Sequence, residues 1–230
     1  MRQASVIAID GPAGSGKSTL GRELAARLGY LYFDTGVLYR AVAWLALHLG
    51  VDPRDENALV ELAARSKLDV TRPTESDGRP YTVTVDGRDV TWAIREPSID
   101  ANVSLVSEHP GVRRVLLDAQ REVAARGAVV LVGRDIGTVV APQAEVKVYL
   151  DASLRVRARR RYQELRARGT ATSLAEVEVD MRRRDEIDSH REAAPLRAAP
   201  DAVVLTTDAL SVTDELDFVA SLVASAREGC

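Results

Sequence analysis

Ser5-Val-Ile-Ala-Ile9, then Gly11-Pro-Ala-Gly-Ser-Gly16-Lys17-Ser18, then the run from Lys17 to Leu28 decide the fold. The first piece is a short β-rich segment. The last has helical character and stops at Gly29, where a glycine just past a helix end belongs. Between them the octet fits G-x-x-x-x-G-K-[ST] in the strand, turn and helix context that this pattern requires. Glycines let the backbone close on a phosphate, and the loop N–H groups and helix N-terminus present a positive pole. Lys17 adds a point charge, and Ser18 offers a hydroxyl to Mg²⁺. Gly11, Pro12, Ala13, Gly14, Ser15, Gly16, Lys17, Ser18 and the adjoining Thr19 are therefore candidate ATP-binding residues, with Ser18 the candidate metal ligand.

Working outward, Tyr30 to Phe33 reads as a second strand leading into Asp34-Thr35-Gly36 and an apolar helix through Leu49, closed by Gly50. Later strands are expected at Ala128 to Val132, Val146 to Leu150 and Ala202 to Thr206, each nearly continuous in apolar residues, as in strands covered on both faces. Helices are expected at Ser98 to Ser107, Pro110 to Arg126, Ser153 to Arg168, Leu174 to Glu192 and Val212 to Arg227. Ser173 and Glu176 have the capping-box spacing ahead of the fourth of these. Such alternation implies a parallel sheet. Leu68 to Trp92 breaks it, because Asp77-Gly78 and Asp86-Gly87 are hairpin-turn dipeptides among alternating segments such as Tyr81 to Val85 and Arg88 to Trp92. The expected fold class is α/β: a phosphate-loop NTPase core with a parallel β-sheet flanked by helices, a small antiparallel β insert and a helical, arginine-rich lid.

The chain has 230 residues, 46% hydrophobic, with 31 basic against 34 acidic residues and a formal net charge of −3. That suits one domain over 1–230 and argues against disorder. Apolar stretches fall far short of the roughly 20 residues of a bilayer span, and Cys230 has no partner cysteine, so no membrane association and a reducing, cytoplasmic location are expected. Only Lys17, Lys67 and Lys147 among the basic residues are lysines, and seven arginines lie between Arg155 and Arg168. Arginine is a rigid fork suited to phosphate or carboxylate, although biased composition would enrich it too.

A phosphate loop alone leaves kinases, GTPases and motor ATPases open. An Asn-Lys-x-Asp guanine-recognition motif is missing from the sequence, and the chain is short for a motor. Gly133-Arg134-Asp135 follows an expected strand, so its charged side chains emerge at the carboxyl edge of the sheet, where open α/β sheets bind ligands. Arg40 stands near that edge as well. Arg184, Asp188 and Arg191 share one helix face, a placement that suits either a phosphate or a solvated row of ion pairs.

Taken together, Ile9-Asp-Gly-Pro-Ala-Gly-Ser-Gly-Lys-Ser18, Asp34-Thr-Gly-Val-Leu-Tyr-Arg40, Gly133-Arg-Asp-Ile-Gly-Thr-Val-Val140, Tyr149-Leu-Asp-Ala152 and Arg184-Asp-x-x-Asp-x-x-Arg191 with Ala194-Pro-Leu196 resemble the bacterial cytidylate kinases over nearly the whole chain. The resemblance implies transfer of the γ-phosphoryl of ATP to CMP or dCMP with Mg²⁺. It places the monophosphate-gripping arginines at Arg40, Arg134 and Arg191, and catalysis on Lys17, Arg134 and Arg191. Base-reading residues fall on Ser104, Arg113 and Asp135, sugar-reading ones on Arg184 and Asp188, and Thr35 joins the CMP set. It further implies a monophosphate-binding insert over about 35–126 with its antiparallel piece at 68–92, and a lid over about 155–169 bringing Arg159 to ATP. Similar enzymes often carry an acidic residue where this chain has Val132, and a serine in place of Thr35. The lid arginines are expected to repel one another until phosphates draw them closed.

Competing expectations are another small phosphate-loop kinase acting on a non-nucleotide alcohol such as shikimate, a nucleic-acid-binding ATPase using Arg155 to Arg168 as a basic strip, and a non-catalytic nucleotide sensor. The acidic balance and scarce aromatic residues weigh against nucleic acid. The expected partners are ATP and CMP or dCMP, without nucleic acid or membrane, for a monomer.

Overall fold

The computed structural model describes residues 5–167, 169–190 and 194–228. Its elements run β1 (Val6–Asp10), α1 (Lys17–Leu28), β2 (Leu31–Asp34), α2 (Gly36–Leu49), α3 (Glu56–Arg65), β3 (Leu68–Thr71), β4 (Thr82–Val85), β5 (Arg88–Asp89), α4 (Pro97–Glu108), α5 (Pro110–Ala125), β6 (Val129–Gly133), β7 (Val146–Asp151), α6 (Leu154–Ala167), α7 (Leu174–His190), β8 (Val203–Thr206) and α8 (Val212–Glu228). A 3₁₀ turn lies at Ala93–Arg95 and a π-helical turn at Ile136–Val140. The chain divides into two compact units, one formed by Gly29–Val129, the other by Ser5–Leu28 together with the chain from Val130 onward.

In the second unit β6, β1, β7 and β8 stand side by side in that order. β1 and β7 run parallel from Ile7↔Val146 to Asp10↔Tyr149, and β7 and β8 from Val148↔Val203 to Asp151↔Thr206. Ile7, Ile9, Val130, Leu131, Val148 and Leu150 are buried, and so are Leu20 and Leu24 of α1 and Val219 and Val223 of α8. Flanking helices thus exclude water from the inner strands, which is why these strands read as unbroken apolar runs. β8 departs from that expectation: Val203 and Val204 are 37% and 57% exposed, because β8 ends the sheet and the helices leave its outer part uncovered. The capping box at α7 forms as expected. Ser173 N donates to Glu176 Oε2 at 2.7 Å and Glu176 N to Ser173 Oγ at 3.2 Å. The expected end of that helix at Glu192 lies outside the described residues.

In the first unit β3, β4 and β5 make the small antiparallel sheet, paired from Leu68↔Val85 to Thr71↔Thr82 and from Thr84↔Asp89 to Val85↔Arg88. Asp86 and Gly87 turn the β4–β5 hairpin with φ of 51° and 80°, the left-handed pair that a tight two-residue hairpin turn requires. Asp77-Gly78 does not join two strands directly. Asp77 instead accepts from Arg79 Nε at 2.8 Å and from Trp92 Nε1 at 2.7 Å, pinning the loop between β3 and β4. The strand expected through Trp92 stops at Asp89, since the chain turns into the 3₁₀ segment there. Helix α3 carries a start signal that is faint in the sequence, Asp55, whose carboxylate accepts from Ala58 N at 3.0 Å.

Candidate active site

β1 delivers the chain straight into the glycine-rich loop, and α1 begins at its lysine. Gly11 has φ of 146°, and a side chain there would run into the carbonyl oxygen of Leu150 on the neighbouring strand. Gly14 has φ of 74°, and a Cβ would stand 2.9 Å from Met181 Cε of α7. Only glycine lets the loop lie this close to its supports. Lys17 is buried, and its Nζ donates to Pro12 O at 2.6 Å and Ser15 Oγ at 3.4 Å, so the ammonium is held inside the curve of the loop. Ser18 and Thr19, by contrast, are exposed at the first turn of α1.

The turn after β6 carries Arg134 and Asp135. Arg134 Nε donates to Asp188 Oδ2 of α7 at 2.8 Å, with side chains 19% and 14% exposed. The structure therefore brings together a guanidinium and a carboxylate far apart in sequence, both singled out above. Asp135 is buried. Arg184 is exposed on α7, four residues before Asp188. Arg191 lies outside the described residues.

Asp10, at the end of β1, is a member of this neighbourhood that was not singled out. Its Oδ1 accepts from Ile136 N and its Oδ2 from Gly137 N, both at 2.7 Å. Burial raises its pKa to about 6 in spite of those two bonds and of Lys17, and Asp135 pushes in the same direction as burial.

In the first unit, Thr35 is buried at the head of α2, behind Asp34, whose Oδ1 accepts from Gly36 N at 3.0 Å. Arg40 of α2 donates to Ile94 O at 3.2 Å and pairs with Asp100 of α4 at 2.5 Å. Arg113 of α5 lays its guanidinium over Tyr39, 5.4 Å from the ring centroid, and reaches Ser107 O at 3.4 Å. Ser104 is exposed on α4. Arg95 donates to Tyr81 Oη at 3.1 Å, and burial pushes the Tyr81 phenol up to about 12.

The arginine-rich helix departs from the picture of mutually repelling charges. Arg157 is buried: Nε donates to Ala152 O at 2.8 Å, Nη1 to Ala13 O and Asp185 Oδ1 at 3.1 Å each, and Nη2 to Asp185 Oδ2 at 2.6 Å. Arg160 donates to Thr207 O at 2.8 Å and to Thr207 Oγ1 at 3.1 Å, and that hydroxyl donates to Ser15 O at 3.3 Å. Arg157 is paired with Asp185 and Arg160 is tied to Thr207, so specific contacts and not repulsion set their positions. Arg159 is exposed on the same helix, and Arg168 lies outside the described residues. Glu215 of α8 is also buried beside the loop, its carboxyl raised by burial and countered by Arg160. The spacing of arginines on α6 contained no sign of which would turn inward. A carboxylate ending an apolar strand immediately before Gly11 was the one legible signal for Asp10.

The arrangement holds a phosphate cradle and, within the same unit, an arginine and two aspartates at the adjoining strand end. The sequence model of the family described as cytidylate kinase matches residues 7–225. A cytidylate kinase of Chloroflexus aggregans (strain MD-66 / DSM 9485) is 51% identical over 219 residues, which span 95% of this chain and 94% of the relative. One from Geobacillus kaustophilus (strain HTA426) is 46% identical over 223 residues, 97% of this chain and 98% of the relative. Among solved structures, an uncharacterized protein from Eubacterium ventriosum ATCC 27560 superposes with a TM-score of 0.52 over 97% of this chain and 99% of that one, and at 12% identity the likeness concerns the fold alone.

Proposed function

The chain belongs to the cytidylate kinase family, and on that premise we propose which residues carry the reaction, transfer of the γ-phosphoryl of ATP to CMP or dCMP. A CMP phosphate oxygen attacks the γ-phosphorus, the bond from that phosphorus to the β–γ bridging oxygen breaks, and ADP leaves with CDP or dCDP. Such a step asks for positioning and charge neutralisation more than for a general base. The observation that carries the assignment is the buried Lys17 inside a loop of Gly11, Pro12, Ala13, Gly14, Ser15 and Gly16, in one unit with the Arg134–Asp188 pair.

Lys17 is assigned to the ATP β- and γ-phosphates, with Ser18, Thr19 and Arg159 completing the ATP set. Arg40, Arg134 and Arg191 grip the monophosphate, Thr35 joins them, Arg184 and Asp188 take the sugar, and Ser104, Arg113 and Asp135 read the base. Cytosine offers an amino donor at N4 and acceptors at N3 and O2, which calls for an acceptor such as Asp135 and a donor such as Arg113.

Mg²⁺ fits the donors present: Ser18 contributes one hard oxygen, while the described residues contain no cluster of three or more acidic, His or Cys side chains for an all-protein cage. That suits a cation carried largely by phosphate oxygens and water. Its chemistry there is neutralisation of phosphate charge.

The unit Gly29–Val129 is read as carrying the monophosphate-binding insert, and 155–169 as a lid, within one functional domain. No described helix is long and apolar enough to cross a membrane. A monomeric, cytoplasmic enzyme is the accompanying proposal, the first half checked by sedimentation. The central test is ADP release with ATP and each nucleoside monophosphate in turn. CMP and dCMP should far exceed UMP, AMP and GMP; turnover of shikimate or another alcohol in their place refutes the assignment.

A further inference from the structure

We propose that Asp10 is a positioning residue that sets the distance between the ATP phosphate loop and the turn bearing Arg134 and Asp135, an inference resting on the acceptor roles given above to those two residues. Asp10 ends β1, and its backbone is fixed by the parallel register with Tyr149 of β7. The residue after it is Gly11, the first of the phosphate loop. Across from it, the residue after Asp135 is Ile136, the first of the π-helical turn. A single carboxylate bridges these two points with both of its oxygens, each 2.7 Å from a backbone nitrogen.

The turn explains why a carboxylate is needed. Val139 N and Val140 N donate to Asp135 O at 2.9 and 3.2 Å, and Ala141 N to Ile136 O at 2.7 Å. The N–H groups of Ile136 and Gly137 precede these bonds and, like any first N–H groups of a helical segment, find no acceptor inside it. Both are buried, so they require an outside acceptor. A deprotonated Asp has two acceptor oxygens and no donor, which matches two N–H groups pointing at one spot. Gly137 packs directly on the carboxylate, since even a Cβ there would already be in contact with Asp10 Oδ2 at 3.4 Å.

Stability alone does not account for the choice. The groups facing Asp10 are Lys17 of α1, Asp135 of the turn and Tyr149 of β7, and burial outweighs the favourable ones, leaving the charged form disfavoured relative to water. The fold holds a charge it would more easily hold neutral, at the joint between the donor loop and the acceptor turn. Since β1 is anchored by its sheet neighbours, loss of the clamp frees the turn and not the loop.

The test is Asp10→Asn. Its amide oxygen serves one N–H and its NH₂ group opposes the other, so the turn shifts. KM for CMP is expected to rise about tenfold or more and kcat to fall, since displacement on the ångström scale costs that much in aligned reactions. The affinity for a non-hydrolysable ATP analogue, measured without CMP, does not fall, because β1 still holds the loop in place and loss of the Asp10 charge leaves Lys17 less offset. Unchanged KM and kcat, or an equal loss of ATP-analogue affinity, overturns the proposal. Should the variant not fold, the unaltered protein decides: amide resonances of Ile136 and Gly137 are expected to shift with CMP alone, and resonances that ignore CMP overturn it. Wild-type protein inactive on CMP would instead refute the acceptor assignment.

Discussion

Arg157→Ala removes a guanidinium whose side chain is 7% exposed and which makes four hydrogen bonds, two of them as a fork on Asp185. Asp185, 24% exposed, would keep its charge with water reaching it only in part, and the carbonyls of Ala13 and Ala152 would lose a donor. Breaking a buried pair costs about 3–5 kcal/mol, and partial access of water to Asp185 brings the expectation to about 2–4 kcal/mol. In a protein of this size each kcal/mol moves the melting temperature by about 2–4 °C, so a fall of roughly 5–15 °C is expected. Arg161→Ala is the control on the same helix. Its pair with Glu164 joins side chains 44% and 57% exposed, and its loss is expected to cost at most about 0.5 kcal/mol. Urea unfolding of both variants at pH 7.5 measures the difference, and the cycle with Asp185→Ala isolates the pair. Equal, small effects of the two substitutions would falsify the claim that Arg157 ties α6 to α7 and to the phosphate loop.

Lys17→Ala should lower turnover by about two to four orders of magnitude with an unaltered circular dichroism spectrum, and near-normal turnover removes Lys17 from the phosphate site. Asp135→Asn, able to present either a donor or an acceptor, should weaken CMP and narrow the CMP-to-UMP ratio of kcat/KM, because a misplaced buried donor or acceptor costs about 1–3 kcal/mol; a constant ratio means that Asp135 does not read the base. Asp10 gives a stability test with an unusual sign. Its carboxyl rises from the ordinary 3.8 to about 6 on folding, so its contribution is complete below pH 4 and is lost as pH climbs through 6. The whole effect is about 3 kcal/mol. The stability gap between wild type and Asp10→Asn, followed by urea unfolding from pH 4.5 to 7.5, should therefore move in favour of the variant as pH rises, and a pH-independent gap contradicts the assignment.

Legibility followed how local the determinant was. Lys17–Leu28 could be delimited from sequence because both ends carry chemical marks, the loop lysine at one end and Gly29 at the other. The Ser173 and Glu176 box is equally local, and the side chains close on each other as the spacing required. Helix α3 was hidden because its start marks, Asp55 and the acidic Glu56 after it, stand in a run of loop-like polar residues. The exposure of β8 was hidden for a different reason: Val203 and Val204 look like buried strand residues, and only the sheet order makes them an edge. At the site, the loop could be read directly, whereas Arg157 and Arg160 could not be told from Arg159 or Arg161. Which way an arginine turns on α6 depends on Asp185 and Thr207, which come from other elements.

Those arginines divide into two kinds of work. Arg157 spends its hydrogen-bonding capacity on protein carbonyls and one carboxylate, which makes it part of the scaffold. Arg40 and Arg134 are engaged more lightly, Arg40 by Asp100 and the Ile94 carbonyl and Arg134 by Asp188. For Arg134 the contact is through Nε, while bidentate capture of phosphate uses paired N–H groups of the fork. An aspartate in that position restrains the rotamer before nucleotide arrives, so less side-chain entropy is lost on binding. The same aspartate offsets part of the positive charge, which weakens attraction for the monophosphate. The two effects oppose each other, and the salt dependence of Asp188→Asn separates them from its sugar contact, whose loss weakens CMP alike at every salt concentration. The ratio of CMP affinity at low salt to that at high salt should rise above the wild-type ratio, because the added positive charge acts only where it is unscreened, and an unchanged ratio refutes the charge effect.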